Sequence, residues 1–267
     1  MNMNFENLKV ERLALGITIV SIDRPKALNA LNTETLTELR KCFREIATDK
    51  TRVLIFTGTG EKAFIAGADI LEMKDKSNSE GVQFAKLGHE VGKLLEIMPK
   101  PTIAAVNGYA LGGGTEMACA CDFIWASDNA VFGQPEVSIG VMPGFGGTFR
   151  LARYVGYPKA KELIFSGKKI DSQEAKRLGL AAQVFSAGEF RQKVLEGAQE
   201  IAKNSSTAVT AAKKAMVEFS EHVGLNSKID GEAQLFGSLF ESKDQVEGME
   251  AFVGKRKPQF QGLEERL

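Results

Sequence analysis

The chain has 267 residues, 43% of them hydrophobic, with 34 Lys plus Arg against 34 Asp plus Glu. Such a length and apolar fraction suit one large core-bearing domain with an appendage, and the zero balance excludes a global field that would draw the chain to nucleic acid or an anionic membrane. No run of 18 apolar residues occurs, and residues 1–8 lack the basic start and apolar stretch of a signal peptide, so neither membrane spanning nor export is expected.

In chain order, β-branched runs at 10–14 and 17–22, parted by Leu15-Gly16, predict a hairpin that Arg24-Pro25 ends. After Asn32, a natural N-cap, Leu36, Leu39, Phe43 and Ile46 recur at spacings of three and four and predict a helix to about Thr48. Strands follow at 53–57, 102–106 and 123–126. A helix carrying Leu87, Val91, Leu94 and Leu95 lies between the first two and is stopped by Pro99 and Pro101. Alternating strands and helices predict an α/β core with parallel pairing, and periodicity alone predicts a doubly wound sheet. From about Ala187 only helical periods remain, at 187–203, 207–221, 225–240 and 242–253, the last opened by a Ser242-x-x-Gln245 capping box. This change of period divides the chain into a core, 1–200, and a helical unit, 201–267.

Two glycine-bearing turns between a strand and a helix carry candidate chemistry. Ala66-Gly67-Ala68-Asp69-Ile70 and Gly112-Gly113-Gly114-Thr115-Glu116 each offer main-chain N–H groups that a ligand can approach. Taken singly, either turn reads better as tight packing; the two together shift the balance toward an oxyanion hole. Neither fits a dinucleotide or P-loop fingerprint, so nucleotide hydrolysis and dinucleotide redox chemistry are unsupported. Glu116 in a helix's first turn satisfies the helix dipole on its own. Glu136 follows a proline within the otherwise apolar run Phe132-Gly133-Gln134-Pro135-Glu136-Val137, where burial would raise its pKa.

His89 and His222 belong to no cluster with metal-ligand spacing, so no metal site is expected. The cysteines Cys42, Cys119 and Cys121 are odd in number, and the Cys119-x-Cys121 pair is too close to bridge comfortably. They read as buried packing residues in a reducing compartment, with the cytoplasm as the default. Lys255-Arg256-Lys257 reads first as a solvated helix end.

The run at 23–31 (Asp23-Arg24-Pro25-Lys26-Ala27-Leu28-Asn29-Ala30-Leu31), the two glycine turns, Phe132-Gly133-Gln134-Pro135-Glu136, Pro143-Gly144-Phe145-Gly146-Gly147-Thr148 and the stretch 251–256 together resemble the crotonase (enoyl-CoA hydratase/isomerase) family. The motifs stand in the family's order across nearly the whole chain. The resemblance implies a crotonase-like spiral of repeated β-β-α units with a C-terminal helical oligomerisation domain, assembled as a homotrimer or homohexamer. It implies reversible addition of water to a trans-2-enoyl-CoA, with Glu116 and Glu136 as the catalytic carboxylates and the N–H groups of Ala68 and Gly113 as the oxyanion hole. Lys26, Leu28, Ala66, Asp69, Ile70 and Leu71 would border the acyl-CoA, and Phe252 and Lys255 would reach it, from a neighbouring subunit. Coenzyme A is part of the substrate and no separate cofactor is implied. Alternatives are an enoyl-CoA isomerase or another acyl-CoA enzyme of the family and, from a different class, a non-catalytic CoA- or RNA-binding member. Thr115 and Phe149 depart from the family's more familiar residues and put acyl-chain preference in doubt.

Overall fold

A computed structural model describes residues 5–219 and 223–261; Glu221 and His222 fall outside them. Strands β1 (Leu8–Arg12) and β2 (Ile17–Ile22) form the expected antiparallel hairpin, with Leu8 opposite Ile22 and Arg12 opposite Thr18. Helix α1 (Thr33–Thr48) starts where Asn32 accepts the Thr35 N–H, and it buries Leu36, Leu39, Phe43 and Ile46.

After α1 the chain repeats one pattern: a strand in a large sheet, a short strand in a second sheet, then helix. The first turn is β3 (Val53–Gly58), β4 (Ala63–Ile65), α2 (Ile70–Met73) and α3 (Asn78–Glu96). The second is β5 (Thr102–Val106), β6 (Tyr109–Leu111) and α4 (Gly113–Ala120); the third is β7 (Phe123–Ser127), β8 (Val131–Gly133) and α5 (Gly147–Val155). There follow α6 (Tyr157–Ser166), β9 (Lys169–Asp171), α7 (Ser172–Arg177), β10 (Gln183–Phe185) and α8 (Phe190–Ala202). The large sheet runs β1-β2-β3-β5-β7-β10 and the small one β4-β6-β8-β9.

That order advances in one direction without reversal, which corrects the doubly wound expectation and gives the spiral of β-β-α turns. A doubly wound sheet reverses at a switch point; here β3, β5 and β7 each hand the chain to a second sheet before a helix returns it. The small sheet's three-residue strands are too short to carry a period.

Alternation along the long strands decides the layers. Val20, Ile22, Leu54, Phe56, Ala104 and Val106 face the main core beneath α1, α3 and α4. Ile17, Ile19, Val53, Ile55, Ile103 and Ala105 face the other way and are covered by Phe190, Val194, Ala198 and Ala202 of α8.

The last helices are α9 (Ser206–Glu218), α10 (Leu225–Ser238) and α11 (Lys243–Val253). Ser242 accepts the Gln245 N–H at the start of α11, as the capping box requires, while the Gln245 amide turns to the Met249 sulfur instead of reaching back. Lys213 fastens α9 to the core: its Nζ donates to Leu95 O, Lys100 O and Asp122 Oδ2 at 3.1, 3.0 and 2.9 Å.

Candidate active site

The site forms where two spiral turns meet. Leu31 donates its N–H to Gly67 O (2.9 Å) and accepts the Asp69 N–H (2.8 Å), a parallel bridge centred on Ala68. Such a bridge engages the residues on either side of Ala68 and turns Ala68's own N–H away from Leu31. Alongside, Gly112 sits at φ 50° and ψ −120°, a conformation open only to glycine, and swings the chain from β6 into α4. A Cβ on Gly114 would stand 2.0 Å from Ile65 O, so its absence lets the start of α4 press against β4. Gly113 opens that helix, where N–H groups lack an intrahelical acceptor. Among the described residues neither the Ala68 nor the Gly113 N–H has a hydrogen-bond partner.

Both N–H groups belong to residues that line one cavity of about 510 Å³, and Glu116 and Glu136 line it too. Glu116, one turn into α4, is 2% exposed, and its Oε1 accepts the N–H groups of Phe145 (2.8 Å) and Gly147 (2.6 Å). Burial pushes its carboxyl up to about 7, aided by the charge of Glu136 and opposed by the two N–H donors and Arg150. Loss of water outweighs the helix dipole suggested by its position alone.

Glu136 opens a single 3-10 turn (Glu136–Ile139) and is pushed up to about 6, again by burial, as its apolar surroundings in the sequence imply. Hydrogen bonding sets the fully buried Gln134 amide with its nitrogen toward Glu136, donating to Oε1 at 2.9 Å and Oε2 at 3.1 Å. Gln134, Phe145 and Gly147 are the site residues sequence reasoning passed over. Their signal was present in Phe132-Gly133-Gln134-Pro135-Glu136 and the glycines around Phe145, but a partner 29 or 31 residues away leaves no local trace.

Of the other residues singled out from sequence, Ala66 and Ile70 line the cavity, walled further by Phe84, Met142 and Phe145. The Phe84 and Phe145 rings pack with centroids 5.3 Å apart. Lys26 and Leu28 border an adjoining cleft of about 420 Å³, joined to the rim through the Ala66 N–H, which donates to Leu28 O (3.1 Å). Asp69 pairs with Arg24 at 3.0 Å, and Leu71, 79% exposed, stands outside the lining. Phe252, 84% exposed on α11, and Lys255 beyond it are not brought to the cavity of their own chain.

The two departures from the family pattern also lie off the cavity. Thr115 Oγ1 donates to Ala110 O (2.6 Å) and lies 3.0 Å from Gly133 O, tying α4 to the small sheet. Phe149 stacks on His89 with ring centroids 6.2 Å apart. Cys42, Cys119 and Cys121 are buried free thiols. No helix of the described residues is long and apolar enough to cross a membrane.

Two carboxylates raised toward neutral share one cavity lining with residues whose main-chain N–H groups have no partner among the described residues, an arrangement suited to moving protons beside a carbonyl whose oxygen takes up negative charge. The fold and site therefore define an acid–base enzyme on a two-sheet spiral. Residues 12–263 match the family described as enoyl-CoA hydratase/isomerase, and the chain belongs to that family.

The short-chain-enoyl-CoA hydratase of Clostridium acetobutylicum is 45% identical over 256 residues, covering 96% of this chain and 97% of that relative. The crotonyl-CoA hydratase of Syntrophomonas wolfei is 45% identical over 263 residues, covering 97% and 99%. Among solved structures, an enoyl-CoA hydratase from Bacillus anthracis superposes with a TM-score of 0.93 at 38% identity, covering 96% of this chain and all of that one.

Proposed function

We propose that the protein is an enoyl-CoA hydratase acting on short trans-2-enoyl-CoA thioesters, adding water reversibly to give the 3-hydroxyacyl-CoA. The observation that carries this reading is the convergence of Glu116 and Glu136 on the cavity that Ala68 and Gly113 also line. The names of the similar proteins, short-chain-enoyl-CoA and crotonyl-CoA hydratase, support the substrate class.

In the proposed mechanism the thioester oxygen accepts the Ala68 and Gly113 N–H groups. Glu116 takes a proton from water as its oxygen bonds to C3, and the C2–C3 π electrons move toward C1 and collect on the thioester oxygen. As they return, C2 takes a proton from Glu136. One water is added across the double bond, and dehydration runs the same steps in reverse. Glu136 is given the C2 role because it lies against Gly112, the neighbour of oxyanion donor Gly113, whereas Glu116 stands three residues further along α4. Moving a double bond needs one proton-transfer group; adding water needs one for water and one for carbon. The second carboxylate thus favours hydration over isomerisation. The N–H donors take up the charge that a cofactor would otherwise accept, so CoA enters as part of the substrate alone.

Phe236, Phe240, Leu225, Ile229 and Phe252 expose much of their apolar surface on α10, α11 and the 3-10 turn between them, which supports assembly as a homotrimer or homohexamer. The buried free thiols support a cytoplasmic location. The test is loss of the conjugated enoyl-thioester absorbance when the protein meets crotonyl-CoA, with longer enoyl-CoAs beside it. Hydration fastest on the short thioester is expected; no loss with any enoyl-CoA overturns the reading.

A further inference from the structure

Glu116 works only if its carboxylate is presented correctly, and that depends on a segment far along the chain. The Phe145 and Gly147 N–H groups both donate to its Oε1. Two donors from alternate residues converge on one oxygen because Gly146 between them lies at φ 104°. The turn is held from behind. Arg150, on α5 and 3% exposed, reaches back so that its Nη1 donates to the Phe145 carbonyl, while its Nη2 donates to Glu96 Oε2 at 2.7 Å, at the end of α3. The other Glu96 oxygen accepts from Arg153 at 2.9 Å.

Room for this buried cation is made by two glycines. A Cβ on Gly92 of α3 would stand 2.9 Å from Arg150 Nη1, and one on Gly146 would stand 2.3 Å from it. Arg150 Nε nonetheless has no partner among the described residues. A buried, incompletely satisfied cation with one carboxylate partner is a poor device for stability. Its hydrogen bond to the very residue whose N–H holds the base points to a different role.

We propose that Arg150 is a positioning residue for Glu116: it clamps the Phe145 carbonyl, keeping the Phe145 and Gly147 N–H groups aimed at one carboxylate oxygen, and Glu96 anchors the clamp. The inference rests on the hydratase reading, in which Glu116 must be ionised when water is bound. The charged and titratable groups facing Glu116 are Glu136 across the cavity, Arg150 from α5 and Cys119 on α4, whose thiol burial keeps protonated. Arg150 is the one cation among them. Its loss both frees the N–H donors and removes a positive charge, and both changes favour the protonated carboxyl.

The test is Arg150→Met, with Arg150→Lys and Glu96→Gln beside it, read by crotonyl-CoA hydration across pH and by NMR titration of ¹³C-labelled glutamate in the Glu136→Gln background. Arg150→Met is expected to raise the Glu116 titration and the alkaline limb of the rate profile by about one pH unit or more. At pH 7 kcat should fall about fivefold or more, because Glu116 is then ionised less often, with KM within about twofold. Arg150→Lys should restore much of the titration but less of the rate, since an ammonium lacks the fork that spans carbonyl and carboxylate.

A folded Arg150→Met protein whose Glu116 titration and alkaline limb stay in place overturns the proposal and leaves Arg150 a purely structural residue. If Arg150→Met fails to fold, Glu96→Gln decides: it should move both readouts in the same direction by less, and no movement overturns the proposal. A wild-type protein inert toward every enoyl-CoA would strike the hydratase reading instead, while the glutamate titration still tests the clamp.

Discussion

The Cβ that Gly112 lacks would stand 2.7 Å from Oε1 of Glu136. The turn delivering the Gly113 N–H to the cavity thus also vacates the space that the second carboxylate occupies. Gly112→Ala meets two penalties, a backbone conformation closed to alanine and a methyl driven against the carboxylate. The backbone strain should cost about 1–3 kcal/mol, and displacement of Glu136 by an ångström should lower kcat on the order of 100-fold. Thermal unfolding and steady-state hydration read the two effects separately. Wild-type kcat in Gly112→Ala would show that Glu136 does not need this space.

Replacing either glutamate by glutamine should lower kcat roughly 100- to 10,000-fold, the range for loss of a general acid or base. Glu116→Gln should also change stability in a pH-dependent way. A carboxyl raised from its ordinary 4.5 to about 7 on folding holds its proton more tightly in the folded state. This group's contribution to stability is therefore greatest at low pH, falls as pH rises from about 4.5 through about 7, and levels off above. Glutamine does not ionise, so Glu116→Gln should be more stable than wild type at pH 8 by up to about 3 kcal/mol, with the gap closing by about pH 4.5. Urea denaturation at both pH values checks this; a constant difference would mean that Glu116 is not buried as a carboxyl.

Hydration needs the carboxylate pair singly protonated, with Glu136 carrying the proton for C2 and Glu116 ionised to take one from water. With the two groups near about 6 and about 7, kcat/KM should trace a bell that rises through about pH 6 and falls above about pH 7. These limbs belong to the pair rather than to either residue. Within the singly protonated pair, the form that reacts has Glu136 protonated and Glu116 ionised. A profile flat from pH 5 to 9 would contradict the shared-proton mechanism.

What could be read from the sequence divides along a physical line. The Asn32 cap, the apolar stripe of α1 and the hairpin of β1 and β2 are local patterns, and the structure keeps all three. So is the apolar setting of Glu136. The small sheet was not legible from period, because Ala63–Ile65, Tyr109–Leu111, Val131–Gly133 and Lys169–Asp171 hold three residues each. Its existence was implied only through the family resemblance. Glu116 read as a helix-start charge because its burial is made by residues from α5 and the preceding loop. The Arg150 clamp was invisible for the same reason: Arg150 and Glu96 are 54 residues apart.

Phe252 and Lys255 pose the remaining question of the site. Phe252 is 84% exposed on α11, and neither residue touches the cavity of its own chain. A large aromatic ring left in water beside a cation is placed to meet something outside the chain, and a CoA moiety bound by a neighbouring subunit would present both an adenine face and phosphates. If so, Phe252→Ala and Lys255→Ala should each raise KM for crotonyl-CoA roughly tenfold, the equivalent of about 1.4 kcal/mol of binding, with kcat nearly unchanged because neither group approaches the reacting carbons. Mixed oligomers sharpen the test. Subunits carrying Glu116→Gln but a wild-type C-terminus, reassembled in excess with Phe252→Ala subunits, should restore the low KM at the active Phe252→Ala sites if the ring comes from a neighbour. An unrestored KM would place Phe252 at its own chain's CoA, and an unchanged KM in both single variants would remove these residues from the substrate site.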